Sequence, residues 1–149
     1  MHAVAKPIPR ENVLRLQHAL GQFPQVNMPV KHYFARGVYA REIFIPAGTC
    51  IVGKIHKHSQ INILSKGDIS VTTDTGIVRV QAPYTVVGAP GTKRVGYAHT
   101  DVIWTTISGT NETDTQKIEE ELIATSFEAY EQFAREALSL NGGQLCLGQ

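Results

Sequence analysis

The chain has 149 residues, 14 Lys and Arg against 13 Asp and Glu for a formal net charge of +1, and 42% hydrophobic residues. That length suits one domain, 1–149, able to bury most of the apolar surface of its unfolded chain without a staple. A charge so near balance supplies no field for drawing in nucleic acid or an anionic membrane, so neither is expected as a partner. Cys50 and Cys146 have neither a metal-type nor a redox-type spacing, which suits a reducing compartment. The opening MHAVAKPIPREN lacks the apolar run of a secretory signal, and no later stretch is apolar enough to span a bilayer; a soluble cytoplasmic protein is expected.

In chain order, Pro7 and Pro9 precede a stretch, 10–23, in which Val13, Leu16, Leu20 and Phe23 recur at helical spacing before Pro24. This predicts a short amphipathic helix, laid as a lid across one end of the β structure that follows. The pattern then changes to short runs rich in Val, Ile, Thr and Tyr: 33–35, 38–45, 49–56, 61–64, 69–73, 77–81, 85–87, 94–99 and 102–108. Turn signals such as Arg36-Gly37, Pro46-Ala47-Gly48, Lys66-Gly67-Asp68, Asp74-Thr75-Gly76 and Ala89-Pro90-Gly91 separate them. Many short strands without helical pattern between them predict an antiparallel sandwich or barrel over about 31–108.

From 114 to 140 the helical period returns, with Ile118, Leu122, Phe127, Tyr130, Ala134 and Ala137 on one stripe. Thr113 and Gln116 fit a capping box at its start, and Asn141-Gly142-Gly143 fits a stop. A helix that long needs an apolar surface to cover, on its own barrel or on a neighbour. It therefore points to a homo-oligomer or a subunit of a larger assembly, with both chain ends packed.

The segment His56-Lys57-His58-Ser59-Gln60-Ile61-Asn62-Ile63-Leu64 carries the most chemistry. If the strand runs through, alternation puts His56, His58, Gln60, Asn62 and Leu64 on one side. Two imidazoles on adjacent inward pleats, with an oxygen donor from Gln60, can converge on a divalent transition metal: iron, manganese, nickel, copper or zinc. The other reading makes the histidines hydrogen-bonded interior residues, or surface residues beyond a strand that ends at Ile55. Arg94, near Lys93 and Tyr97, suits bidentate recognition of a carboxylate or phosphate. Trp104, alternating with Thr, reads as core packing, and Tyr33, Tyr39 and Phe44 as barrel wall.

Over about 46–107 the sequence resembles the cupin superfamily. Gly48, His56, His58 and Gly67, with Ile63-Leu64-Ser65-Lys66 before the last, look like the first cupin motif, and Ala89-Pro90-Gly91 looks like the turn of the second. The departures are specific. The glutamate position of the first motif falls on Gln60 or Asn62, the histidine position of the second on Arg94, and its asparagine position on Ala98. The resemblance implies an antiparallel jelly-roll barrel, here with a short N-terminal and a long C-terminal helix, and two of the four usual metal ligands. A narrower likeness, through His32 to Gly48, Gly91 to His99 and Val102 to Ile107, is to small cupin-like proteins of tailed phages. It implies a viral origin, with the host cytoplasm as its location.

The function expected is binding of a small anionic molecule in the barrel. His56, His58 and Gln60 are the metal candidates, Asn62, Arg94 and Tyr97 the ligand-binding candidates, and His58 the candidate general base for lyase, isomerase or hydrolase chemistry. The alternative is a non-catalytic ligand-sequestering module, or a virion or accessory phage protein using the barrel as scaffold.

Overall fold

The molecule is described by a computed structural model for residues 6–147, with side chains described as far as residue 140. Helix α1 (Arg10–Leu20) is followed by ten strands: β1 (Val30–Ala35), β2 (Val38–Ile45), β3 (Cys50–Val52), β4 (Ile55–His56), β5 (Gln60–Lys66), β6 (Asp68–Thr73), β7 (Gly76–Gln81), β8 (Tyr84–Gly88), β9 (Val95–Ala98) and β10 (Val102–Gly109). Helix α2 (Thr115–Leu122), strand β11 (Ile123–Ala124) and helix α3 (Phe127–Leu147) complete the described chain. All strand pairings are antiparallel. One sheet has the order β1-β2-β10-β5-β8, a second β3-β9-β6-β7, and β11 pairs with β4.

Alternation along each strand decides what lies between the two larger sheets. On β2 the odd positions Tyr39, Arg41, Ile43 and Ile45 face in, opposite Ser108, Thr106, Trp104 and Val102 of β10. Ile43, Ile45, Leu64, Ile69, Val71, Ala98 and Val102 form the buried core at one end of this space. At the other end the same rows turn polar, through Arg41 and Tyr39 on β2 and Thr106 and Ser108 on β10. Among the turn glycines, Gly67 lies at φ +98°, where a side chain would be strained, and a Cβ there would stand 2.2 Å from the Asp101 carbonyl oxygen.

Several expectations are corrected at element ends. Helix α1 stops at Leu20, because the residue before Pro24 is biased to extended backbone and the chain leaves the helix through Gly21. Phe23 is 66% exposed, off the apolar face that buries Val13. The element that closes the polar end of the interior is α2, not α1: Ile118 and Leu122 pack on Tyr39. The expected strand 49–56 is split at Gly53 and Lys54.

The expected helix 114–140 is broken. Ile123 and Ala124 leave it to pair with His56 and Ile55, and Ser126 restarts it, its hydroxyl accepting from Ala129 N–H at 3.0 Å. Phe127 then seats with Ile55 and Ala124 in a small core of its own. The first cap is Asp114 rather than Thr113; its carboxylate accepts from the N–H groups of Gln116 and Lys117. Asn141-Gly142-Gly143 does not stop α3, whose backbone continues to Leu147, a glycine inside a helix costing only about 1 kcal/mol. The chain ends expected to be packed fall on residues 1–5 and 148–149, outside the described residues. Among the described residues no helix is long and apolar enough to cross a membrane.

Candidate functional site

Between the sheets lies a cavity of about 830 Å³. Its apolar part is walled by Met28, Val30, Ile43, Ile51, Ile69, Val71 and Trp104. Its polar part holds Arg41, His56, Gln60, Asn62, Arg94 and Thr106, with Lys54 and α2 at the rim. The cavity reaches β1 and β3, each of which has a strand partner on one side only, so the two larger sheets are not joined there.

Of the six residues expected to form the site, the structure brings four to this cavity: His56, Gln60, Asn62 and Arg94. His58 is not among them. The strand does not run through residues 57–59, which form a bend, and the alternation that would have aligned His56 with His58 is lost. The bend is clamped by Lys57, whose N–H donates to the Leu122 carbonyl and whose Nζ donates to the Glu120 carbonyl. His58 is exposed and packs its ring edge-to-face on Phe133 of α3, with centroids 5.3 Å apart. Tyr97 is also elsewhere. It stands on the outer face of the second sheet, opposite Cys50 and Ser70 and against the ring of His99.

The four interior residues are held in different ways. Gln60, 5% exposed, donates from Nε2 to the carbonyls of Gly88 at 2.7 Å and His58 at 3.2 Å, so it ties the bend to β8. Asn62, 3% exposed, accepts at Oδ1 from Trp104 Nε1 at 3.2 Å and Thr106 Oγ1 at 2.9 Å. An indole N–H can only donate, which fixes the amide orientation and leaves Nδ2 without a partner. Arg94 donates from Nη1 to the Thr72 carbonyl at 3.1 Å, and among the described residues its buried Nε, like Asn62 Nδ2, has no partner. Buried donors left unpaired are uncommon, because each costs about 1–3 kcal/mol of desolvation.

His56 is half-buried, its backbone paired with Ile123 and its carbonyl accepting from Gly91 N–H at 2.8 Å. Burial, then the positive charges of Arg41, Arg94 and Lys54, push its pKa down to about 4, so the imidazole is neutral at pH 7. Burial also draws the Arg94 guanidinium below its ordinary value, though it stays charged near neutrality. Lys54 forms an ion pair with Glu119 of α2. Among the described residues neither Arg41 nor Arg94 is in an ion pair.

The residues present do not fit a resident metal ion. A divalent cation needs several convergent donors, and here His58 points away, the Gln60 amide is turned to backbone carbonyls, and the Asn62 oxygen already accepts twice. The guanidinium charges around His56 oppose a second cation. Among the described residues no three His, Cys, Asp or Glu side chains are grouped to hold one. What the arrangement can do is donate hydrogen bonds and positive charge to an anion.

The residues missed in the sequence were Arg41 and Trp104. Arg41 sits in an otherwise apolar inward row, Tyr39-x-Arg41-x-Ile43-x-Ile45, and an arginine at that parity was the available signal. Trp104 packs against the core as expected, but it also lines the cavity.

No protein-family model matches the chain, and no curated protein matches it in sequence. Solved structures do resemble it. KdgF from Halomonas sp. is 15% identical with a TM-score of 0.50, over 60% of this chain and 87% of that one. An RmlC-like cupin from Shewanella frigidimarina is 20% identical with a TM-score of 0.48, over 59% and 87%. An HTH_3 family transcriptional regulator from Vibrio cholerae is 15% identical with a TM-score of 0.49, over 58% of this chain, which spans only 52% of the regulator. The resemblance to tailed-phage proteins finds no support in these likenesses. At such identities they speak to architecture alone, and the likeness to KdgF, with the strand order, gives the fold: an antiparallel cupin-like β-barrel with flanking helices.

Proposed function

We propose that this protein is a cupin-fold ligand-binding domain that holds a small organic anion in the barrel directly, through protein donors and without a metal. The observation that carries the reading is that two guanidinium groups, Arg41 and Arg94, line one cavity with no ion-pair partner among the described residues. A carboxylate or phosphate in the cavity would offset the guanidinium charges and accept hydrogen bonds from them. Neutral His56 adds a ring nitrogen as donor or acceptor. Of His56 and His58 only His56 lines the cavity, as His32 of β1 also does, so of the expected pair it is His56 that is placed for proton exchange with a bound molecule.

The test uses Trp104, the single tryptophan of the chain, as reporter. Quenching of its fluorescence by small organic acids is expected to saturate, to survive a chelator, and to weaken at least tenfold in Arg94→Ala, since a charged hydrogen bond contributes about 1.5–3 kcal/mol. Metal bound in a defined ratio and lost in His56→Ala would overturn the reading. For the assembly, we propose a homo-oligomer built on the outer face of the five-stranded sheet, where Tyr33, Val38, Ile61 and Val87 are exposed apolar residues. A monomeric mass by light scattering at micromolar concentration would refute it.

A further inference from the structure

The cavity is two-sided, and the apolar side is larger than an anion needs. Met28, Val30, Ile43, Ile51, Ile69, Val71 and the Trp104 ring wall it, while every cationic group lies toward α2 and the β3–β4 link. Gly96 of β9 lines this end. A Cβ there would stand 3.2 Å from Ile69 Cδ1, 3.4 Å from Ile51 Cγ2 and 3.7 Å from Val71 Cγ1, so the wall is closely packed at this point and a larger side chain would push itself or these residues into the cavity. The inner wall thus passes from Ile45 and Ile43 to Arg41 along a single strand, and from Trp104 to Thr106 along its neighbour. Asn62 joins the two regions, tied to Trp104 and Thr106 by its oxygen and free at its nitrogen. At the rim Glu119 is engaged by Lys54, while Glu120 leaves a carboxylate where a second negative group would be repelled.

Resting on the anion-binding reading above, we infer that the ligand is amphipathic: an organic acid with one anionic head at Arg94 and Arg41, and an unbranched or aromatic apolar body lying against Trp104, Ile43 and the wall at Gly96. A polar polyhydroxylated molecule is not what this wall accepts, because its hydroxyls would meet Ile, Val and Met without partners. A dicarboxylate would bring its second charge to apolar wall or to Glu120. The head chemistry is shared by carboxylates and phosphate monoesters, and the two are separable by titration.

The experiment titrates Trp104 fluorescence of the whole chain at neutral pH and fixed ionic strength with acetate, butanoate, hexanoate and octanoate, with octyl phosphate, and with 1-octanol. Affinity is expected to rise about fourfold per methylene, from about 0.8 kcal/mol per buried CH₂, until the apolar end is filled. Whichever of octanoate and octyl phosphate binds more tightly identifies the head group, and either result supports the inference. Octanol is expected to bind at least tenfold more weakly than the better acid. Gly96→Val, checked for folding by circular dichroism, is expected to weaken octanoate at least tenfold and to weaken it more than butanoate. Short acids that bind in an Arg94-dependent way with affinity flat or falling along the series would overturn the amphipathic inference and leave the anion site standing. No Arg94-dependent binding of any acid, short or long, would overturn both.

Discussion

Acidification is the perturbation that interrogates the cationic end of the cavity most quantitatively. The His56 pKa of about 4 in the folded chain lies below its ordinary 6.5, because burial and the charges of Arg41, Arg94 and Lys54 disfavour the imidazolium. The unfolded chain therefore takes up this proton first as pH falls. The stabilising effect is complete above about pH 6.5, is lost progressively down to about pH 4, and changes no further below it. At about 1.36 kcal/mol per pH unit, the fall from 6.5 to about 4 amounts to on the order of 3 kcal/mol. Urea unfolding from pH 8 to pH 4, for the natural chain and for His56→Gln, isolates the effect, since glutamine keeps polarity and cannot be protonated. The stability difference between the two proteins is expected to shift by about 3 kcal/mol against the natural chain over that range. A difference independent of pH, or a His56 ring that titrates at 6.5 by NMR, would refute the placement of His56 beside those charges.

Asn62→Ala would leave Trp104 Nε1 and Thr106 Oγ1 unpaired, and thermal unfolding should report a loss of about 1–3 kcal/mol; an unchanged Tm would show that the Asn62 bridge is not formed. The Asp68 carboxylate, held at a pKa of about 2 mainly by the Arg79 guanidinium, stabilises the fold above its ordinary 3.8 and loses that effect as pH falls toward 2. Asp68→Asn should therefore lack that part of the acid transition, measured by circular dichroism. Gly91→Ala puts a Cβ at φ +81° and 2.4 Å from the Tyr130 ring. It should destabilise by about 1–3 kcal/mol from backbone strain, with a clash added, and in a Tyr130→Ala background only the clash should disappear.

What could be read from the sequence divides along physical lines. Strand positions were legible because turns such as Arg36-Gly37 and Asp74-Thr75-Gly76 demand particular residues, and because the runs between turns are rich in Val, Ile, Thr and Tyr. The pairing of His56 with His58 was not, because alternation holds only where a strand is continuous, and the bend at residues 57–59 is imposed from outside by the Leu122 and Glu120 carbonyls. No local pattern announces contacts sixty residues away. The break after α2 escaped for the same reason: the stripe from Ile118 to Ala137 is helical in period, yet Ile123 and Ala124 are taken as strand partners by Ile55 and His56. Asn62 and Arg94 are legible as cavity-lining positions because they fall where the cupin motifs place metal ligands, and an amide and a guanidinium there are the basis of the proposed anion site.

The proposed metal-free anion site is tested most directly by one titration: octanoate against Trp104 fluorescence in the presence of EDTA, for the natural chain and for Arg94→Ala. The account predicts saturable quenching that the chelator does not alter and that Arg94→Ala weakens at least tenfold. Binding abolished by EDTA and restored by a divalent metal, or binding indifferent to Arg94, would contradict it.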